Sequence, residues 1–201
     1  MALFWRVTNI DIQSIVEAAR VSHVALFEEL SVHYNDIELI AKKCQRTLEA
    51  GGKLFFIGNG GSAADSQHLA AEFVVRFKRE RSPLAAIALT TDTSILTAHS
   101  NDYSFDTVFS RQLEALGSDK DIVFGLTTSG NSPNIINALN IAKEKGIFSV
   151  ALTGRDGGAI KGIADQSIVI QHEETARIQE AHLFIGHCLC DIVDRMFATA
   201  E

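Results

Sequence analysis

His68 and Glu72 stand four residues apart in KLFFIGNGGSAADSQHLAAE, which runs from Lys53 to Glu72. On a helix that spacing sets two side chains side by side on one face. An imidazole and a carboxylate so placed can share a metal or move a proton, and the same pair also occurs as ordinary solvated helix surface. Just ahead lie Gly58, Asn59, Gly60, Gly61 and Ser62, where an apolar run ends. A glycine turn between strand and helix offers free backbone N–H groups and the positive helix end to an anion; a plain tight connection has the same composition. It is neither a dinucleotide fingerprint nor a Walker loop, since GNGGSAAD lacks the GxGxxG spacing and the GK[ST] ending. A second turn, Thr127, Thr128, Ser129, Gly130, Asn131 and Ser132, leads into Pro133. Proline suits the first helical position and Ser132 the N-cap, which leaves Thr127 to Ser129 free to offer O–H groups to a phosphate. A third group, Gln179, His182 and His187, interrupts the apolar middle of ETARIQEAHLFIGHCLCDIVDRMF. Buried polar groups require partners, so these residues are candidates for a second half of the same site.

The elements that position these residues follow from periodicity. From Asn9 to about Tyr34, Ile12, Val16, Ala19, His23, Leu26 and Leu30 recur at steps of four and three, the mark of a helix with a narrow apolar seam. Such a seam packs on its own domain or on a second copy of itself, and His23 within it is expected to be a hydrogen-bonded core residue. A second helix is expected from Asn35, with Asn35 and Glu38 as a capping-box-like pair, to Gly51-Gly52. Strands are expected in the five residues after Gly52 and at Leu84 to Leu89, Ile122 to Leu126, Phe148 to Thr153 and Gln166 to Ile170. Between them fall the helix carrying His68, a basic cluster (Arg76, Lys78, Arg79, Arg81) read as a solvated helix end, and a short helix from Ser94 to His99. A turn at Asn101-Asp102, an amphipathic stretch from Phe105 to Leu116, a helix from Asn134 to Lys145-Gly146, a turn at Gly154 to Gly158 and a last helix from Glu174 to Phe197 complete the chain. Strands alternating with helices argue a parallel sheet covered on both faces, with ligands at the carboxyl ends of the strands.

A chain of 201 residues suits one α/β domain, and 46% hydrophobic with 21% charged residues sets disordered and fibrous classes aside. The net charge of −7 disfavours nucleic acid and anionic membrane surfaces as partners. No apolar run approaches the ~20 residues of a membrane helix, and MALFWRV, followed by Asp11 and Glu17, does not make a signal peptide, so a cytoplasmic location is expected. The three cysteines form no disulfide framework, and Cys188-x-Cys190 lacks CxxC spacing, so buried free thiols are expected.

The segments GNGGSAADSQHLAAE (58 to 72), SND (100 to 102), TTSGNSPN (127 to 134), ALTGRDGG (151 to 158) and RIQEAHLFIGH (177 to 187) together resemble the sugar isomerase (SIS) domain family. Within it they resemble the phosphoheptose isomerases, which interconvert sedoheptulose 7-phosphate and glycero-manno-heptose 7-phosphate. The resemblance implies a three-layer α/β/α sandwich with a five-stranded parallel sheet, one SIS domain over 1–201. It also implies N-terminal helices within 1–50 that help form an oligomer, a tetramer. It implies a metal site of His68, Glu72, Gln179 and His187, usually taken as zinc, Zn2+, one per subunit. Asn59, Gly60, Gly61, Asn101 and Asp102 would contact the sugar phosphate, together with Glu72 and Gln179, and Thr127, Thr128, Ser129 and Ser132 would hold its phosphate. Glu72 would be the base and His187 the acid, in a step toward the heptose of the lipopolysaccharide core. The family often has Ser where this chain has Thr127, which keeps the hydroxyl. Gln179 and His187 are eight residues apart, roughly 12 Å along a helix, and a site shared between subunits would ease the span. A rival expectation comes from SIS proteins that act as non-catalytic oligomeric partners of the bacterial replication initiator, whose C-terminal segment HCLCDIVD resembles. Those proteins replace the catalytic positions, whereas Glu72 and His187 are present here.

Overall fold

The structure, a computed structural model, describes residues 10–198. The expected helix start at Asn9 and the MALFWRV segment lie outside the described residues. Five parallel strands, β1 (Leu54–Gly58), β2 (Ala86–Ala88), β3 (Ile122–Thr127), β4 (Phe148–Gly154) and β5 (Gln166–Ile170), form one sheet in the order β2-β1-β3-β4-β5. Leu54 sits opposite both Ala86 and Ile122, and β1 and β3 are buried along their whole length. Runs rich in Phe, Ile, Val and Leu suit strands covered on both faces. β2, at the sheet edge with β1 as its one neighbour, is shorter than the expected Leu84 to Leu89. Leu84 N–H turns instead to the Phe73 carbonyl (3.1 Å).

Seven α-helices complete the described chain: α1 (Ile12–Glu29), α2 (Tyr34–Glu49), α3 (Gly61–Val74), α4 (Thr93–Asp102), α5 (Val108–Leu116), α6 (Pro133–Glu144) and α7 (Thr175–Phe197). Alternation along the strands divides the core between two faces. Leu54, Phe56, Phe124 and Leu152 pack under α1, α2, α3 and α7, whereas Phe55, Ile57, Val123 and Ala151 pack under α5 and α6, with Leu96 of α4 beside them. This is the expected three-layer α/β/α sandwich. Asp121, buried at the start of β3, takes Lys53 N–H (2.8 Å) and Lys53 Nζ (2.9 Å) and so ties the amino ends of β1 and β3 together.

Four local expectations are corrected. The chain passes from α1 through a 3₁₀ turn, Leu30–His33, straight into α2, where Tyr34 N–H bonds to the Ser31 carbonyl. With the backbone satisfied that way, no side chain caps α2, and Glu38 pairs with Lys42 rather than forming a box with Asn35. Asn101 and Asp102 form the last turn of α4 instead of a separate turn. The basic cluster is not simply solvated, because Arg81 is buried on Asp194 (2.8 Å) and Arg79 pairs with Asp191 (2.7 Å), both carboxylates being on α7. His23 is half-buried rather than core, stacked on Phe27 and bonded to Glu180 (2.8 Å). Cys44 and Cys190 are buried free thiols as expected, and Cys188 is half-buried. Of the α1 seam, Leu26 is buried while Ile12 and Val16 remain 70% and 62% exposed. Among the described residues no helix is long and apolar enough to cross a membrane.

His182 on α7 is fully buried beneath β4, with Nε2 3.1 Å from the Thr153 carbonyl and Nδ1 without a partner. Burial disfavours its charged form and pushes its pKa down to about 4, against the Thr153 hydrogen bond. The unfolded chain takes up this proton below about 6.5 and the folded chain only below about 4. The corresponding stability is therefore complete above the unfolded value and is lost as pH falls through that window, on the order of 3 kcal/mol in all. Urea midpoints measured across this range are expected to fall with acid in the wild type and to flatten in His182→Leu; equal slopes would remove His182 as the cause.

Candidate active site

The sheet order places a topological switch between β1 and β3, since the chain leaves β1 for β2 on one side and returns to β3 on the other. In open α/β sheets the crevice at such a point, beyond the carboxyl ends of the strands, is where ligands bind. Both turns singled out in the sequence open there. The first carries the chain from β1 through Asn59 and Gly60 into α3, whose amino end has no side-chain cap. The second carries it from β3 into α6, which begins at Pro133. A reciprocal amide pair, Asn59 Nδ2 to Asn134 Oδ1 and Asn134 Nδ2 to Asn59 Oδ1, both 2.9 Å, fastens the two turns to each other. Asn134 lies within the TTSGNSPN segment and was not singled out, because an amide at a helix start reads as ordinary.

Ser132 occupies the N-cap position, yet its hydroxyl does not cap α6. It meets Thr127 Oγ1 at 3.1 Å, and Ser129 Oγ lies 3.4 Å from the same atom, so the hydroxyls converge. Thr128 is half-buried beside them. These O–H groups, with the amino ends of two helices, form a cradle suited to a phosphate and need no basic side chain. Its shape depends on Gly130, which has φ +68°; a Cβ there would meet the Gly157 carbonyl oxygen at 2.1 Å. Asn131 Oδ1 accepts from Ala159 N–H (3.0 Å), and the Gly130 carbonyl accepts from Ile160 N–H (3.0 Å). The GRDGG turn therefore backs the hydroxyl turn.

A second cluster lies along the groove between α3 and α7. These helices run side by side in the same direction: Gly61 meets the Gln179 amide, Leu69 meets Gly186, and His68 meets His187. His68 Nε2 is 2.8 Å from His187 Nε2 and 3.5 Å from Glu72 Oε1. Burial first, then the neighbouring His68 and Lys78, hold His187 below the ordinary histidine pKa, with Glu72 opposing. An imidazole so placed can bind a metal or accept a proton when neutral, and can give one up when protonated.

Of the four expected metal ligands, His68, Glu72 and His187 are together, while Gln179 stands about two helical turns away at the Gly61 end of the groove. Among the described residues no set of three His, Cys, Asp or Glu side chains closes into a finished metal cage. The donor chemistry nonetheless fits a zinc-type ion, since two imidazole Nε2 atoms face one another with a carboxylate oxygen beside them. Asn101 and Asp102 are exposed and bonded to each other (2.8 Å), and no hydrogen bond joins them to the other candidates among the described residues.

Asp65 was missed by the sequence reading. It lies between Gly61 and His68 on α3, in a crevice with Gln179, Glu180 and Leu183, and its buried Oδ2 has no partner. Burial raises its carboxyl pKa, with His68 opposing. The signal was available, since 65, 68 and 72 share one helical face.

Known proteins resemble this chain in sequence and in fold. The SIS domain family matches residues 20–154. The chain is 53% identical over 161 residues to a phosphoheptose isomerase from Paramagnetospirillum magneticum, covering 80% of this chain and 84% of the relative. Among solved structures it resembles a phosphoheptose isomerase from Neisseria gonorrhoeae, with TM-score 0.86, 42% identity and coverage of 90% of this chain and 99% of that one. A phosphoheptose isomerase from Francisella tularensis gives TM-score 0.89 and 36% identity, covering 92% of this chain and all (100%) of that one.

Gly130→Ala is expected to leave the sheet intact and to weaken binding of a phosphate-bearing ligand by roughly tenfold or more, because the 2.1 Å approach to Gly157 forces the hydroxyl turn to move. Isothermal titration checks this, and undiminished affinity would exclude the turn as the cradle.

Proposed function

This chain belongs to the SIS domain family, among its phosphoheptose isomerases, and on that premise we propose that it converts D-sedoheptulose 7-phosphate to D-glycero-D-manno-heptose 7-phosphate through an enediol. The observation that carries the reading is the convergence of Glu72, His68 and His187 across one groove. The Glu72 carboxylate takes a proton from C1 of the ketose while His187 donates one to the oxygen on C2. The C1 hydroxyl then gives up its proton to the imidazole, and protonated Glu72 returns its own to C2, leaving the aldehyde at C1. A zinc ion held by His68, Glu72 and His187, with Gln179 reaching it in a site shared between copies of the chain, would supply Lewis acidity toward the sugar oxygens. Thr127, Thr128, Ser129 and Ser132 hold the phosphate in this reading, and Asn59, Gly60, Gly61, Asn101, Asp102 and Gln179 contact the sugar. The product would serve the lipopolysaccharide core, made in the cytoplasm.

The site is completed between copies of the chain, as a tetramer. Eleven helical steps separate Gly61 from Glu72, roughly 16 Å, more than a heptose 7-phosphate spans from phosphorus to C1. A phosphate on one protomer and the α3–α7 groove of another would bring the two halves within reach, and the exposed Ile12 and Val16 on α1 suit a helix seam with a second copy.

Purified protein is expected to convert the ketose to the aldose, to stop when a chelator strips its metal and to recover with added zinc; an intact metal-loaded oligomer without turnover would overturn the reading. Glu72→Gln is expected to keep the fold and phosphate affinity and to lose turnover by roughly a hundredfold or more, so unchanged turnover would deny the base role. Val16→Asp is expected to shift sedimentation toward the monomer and to reduce turnover with it. A fully active monomer would refute the shared site.

A further inference from the structure

The buried ion pair behind the site has no part in binding or proton transfer, and its geometry bears on both catalytic side chains. Asp194 follows His187 by seven residues, two helical turns, and so lies on the same face of α7. Its carboxylate is almost wholly enclosed, at 1% exposure, and takes Arg81 Nε at 2.8 Å on Oδ1. Oδ2 takes Arg79 N–H at 2.7 Å and Lys78 N–H at 3.1 Å, which fixes the loop after α3 to α7. The rest of the Arg81 guanidinium reaches the last turn of α3: Nη2 donates to the Glu72 carbonyl (2.8 Å) and Nη1 to the Phe73 carbonyl (3.0 Å). These are carbonyls of the kind left without partners at a helix end. One planar guanidinium thus holds the backbone of Glu72 and, through Asp194, the helix that carries His187. Lysine cannot reproduce this fork.

We infer that Arg81 and Asp194 are positioning residues for the isomerase site, locking the axial register of α3 against α7 and with it the spacing of Glu72 and His68 from His187. The inference rests on the isomerase reading for its kinetic consequence and on geometry alone for its structural one. A register error of about 1 Å in a reacting pair is enough to cost up to a hundredfold in rate.

Three variants, Arg81→Lys, Asp194→Asn and Leu139→Ala, test it against the wild type. The last truncates a core residue on the opposite face of the sheet and serves as the destabilised control. In folded Arg81→Lys, kcat on sedoheptulose 7-phosphate is expected to fall roughly 10- to 100-fold with KM nearly unchanged, since the phosphate turn is not attached to the clamp. Asp194→Asn is expected to show the same split, and Leu139→Ala to leave kcat of its folded fraction unchanged. Side-chain nitrogen NMR gives a reading independent of turnover: the His68 and His187 ring signals shift in the two clamp variants and stay in Leu139→Ala. Unmoved ring signals, or a kcat that falls only in step with the folded fraction as in Leu139→Ala, would overturn the inference. A wild type inactive on the ketose would sink the isomerase reading instead and leave the ring signals to decide the clamp.

Discussion

Gly186 allows α7 to settle against Leu69 of α3, where a Cβ would come within 2.6 Å of the leucine side chain, and the candidate chemistry depends on that contact. Two helices that approach this closely and run in the same direction bring like positions of each into register. His68 meets His187 one residue to either side of the glycine contact, and Glu72 follows on the next turn of α3. Apolar packing sets how near the helices lie, but it is tolerant of sliding along the axis. The polar contacts at the far end, Arg81 and Arg79 on Asp194 and Asp191, are directional and supply the axial constraint that packing lacks.

The proposed phosphate end of the site obeys a different constraint. The chain carries a net charge of −7, and the hydroxyl turn contains no lysine or arginine. Attraction for an anion there would come from oriented N–H and O–H dipoles at the amino ends of α3 and α6, which the strand order brings together where β1 and β3 part. Such dipoles act only if held in place. The Asn59–Asn134 amide pair holds the two turns to each other, and the Gly157-Gly158 backbone, pressed on Gly130, holds the second from behind.

Much of this was legible in the sequence. Strand and helix identities follow from period and from glycine and proline punctuation, because those signals are local. The glycine turn, the hydroxyl turn and the His68–Glu72 face are each contiguous, and their motif identified the family. What the sequence left open concerns chiefly interactions that span the chain. Arg81 looks solvated beside Arg76, Lys78 and Arg79, yet its partner Asp194 is 113 residues away. His182 reads like the other polar residues of its helix, and only its place beneath Thr153 of β4 makes it a buried neutral imidazole. The Asn35–Glu38 cap was plausible in isolation and lost to a 3₁₀ turn that satisfied the same backbone groups.

By itself the sequence determined the residue types, the elements that bear them and the family, since each depends on neighbours within a few turns of chain. Tertiary structure alone decided how the expected ligands are spread, with His68 facing His187 in one groove and Gln179 at its other end, and that Asp65 carries an unpartnered oxygen in the same crevice. It also decided that Arg79 and Arg81, out of a basic cluster, face the carboxylates Asp191 and Asp194 on α7. The physical reason is that helix-to-helix register and burial are properties of two segments packed together, and neither segment encodes them alone.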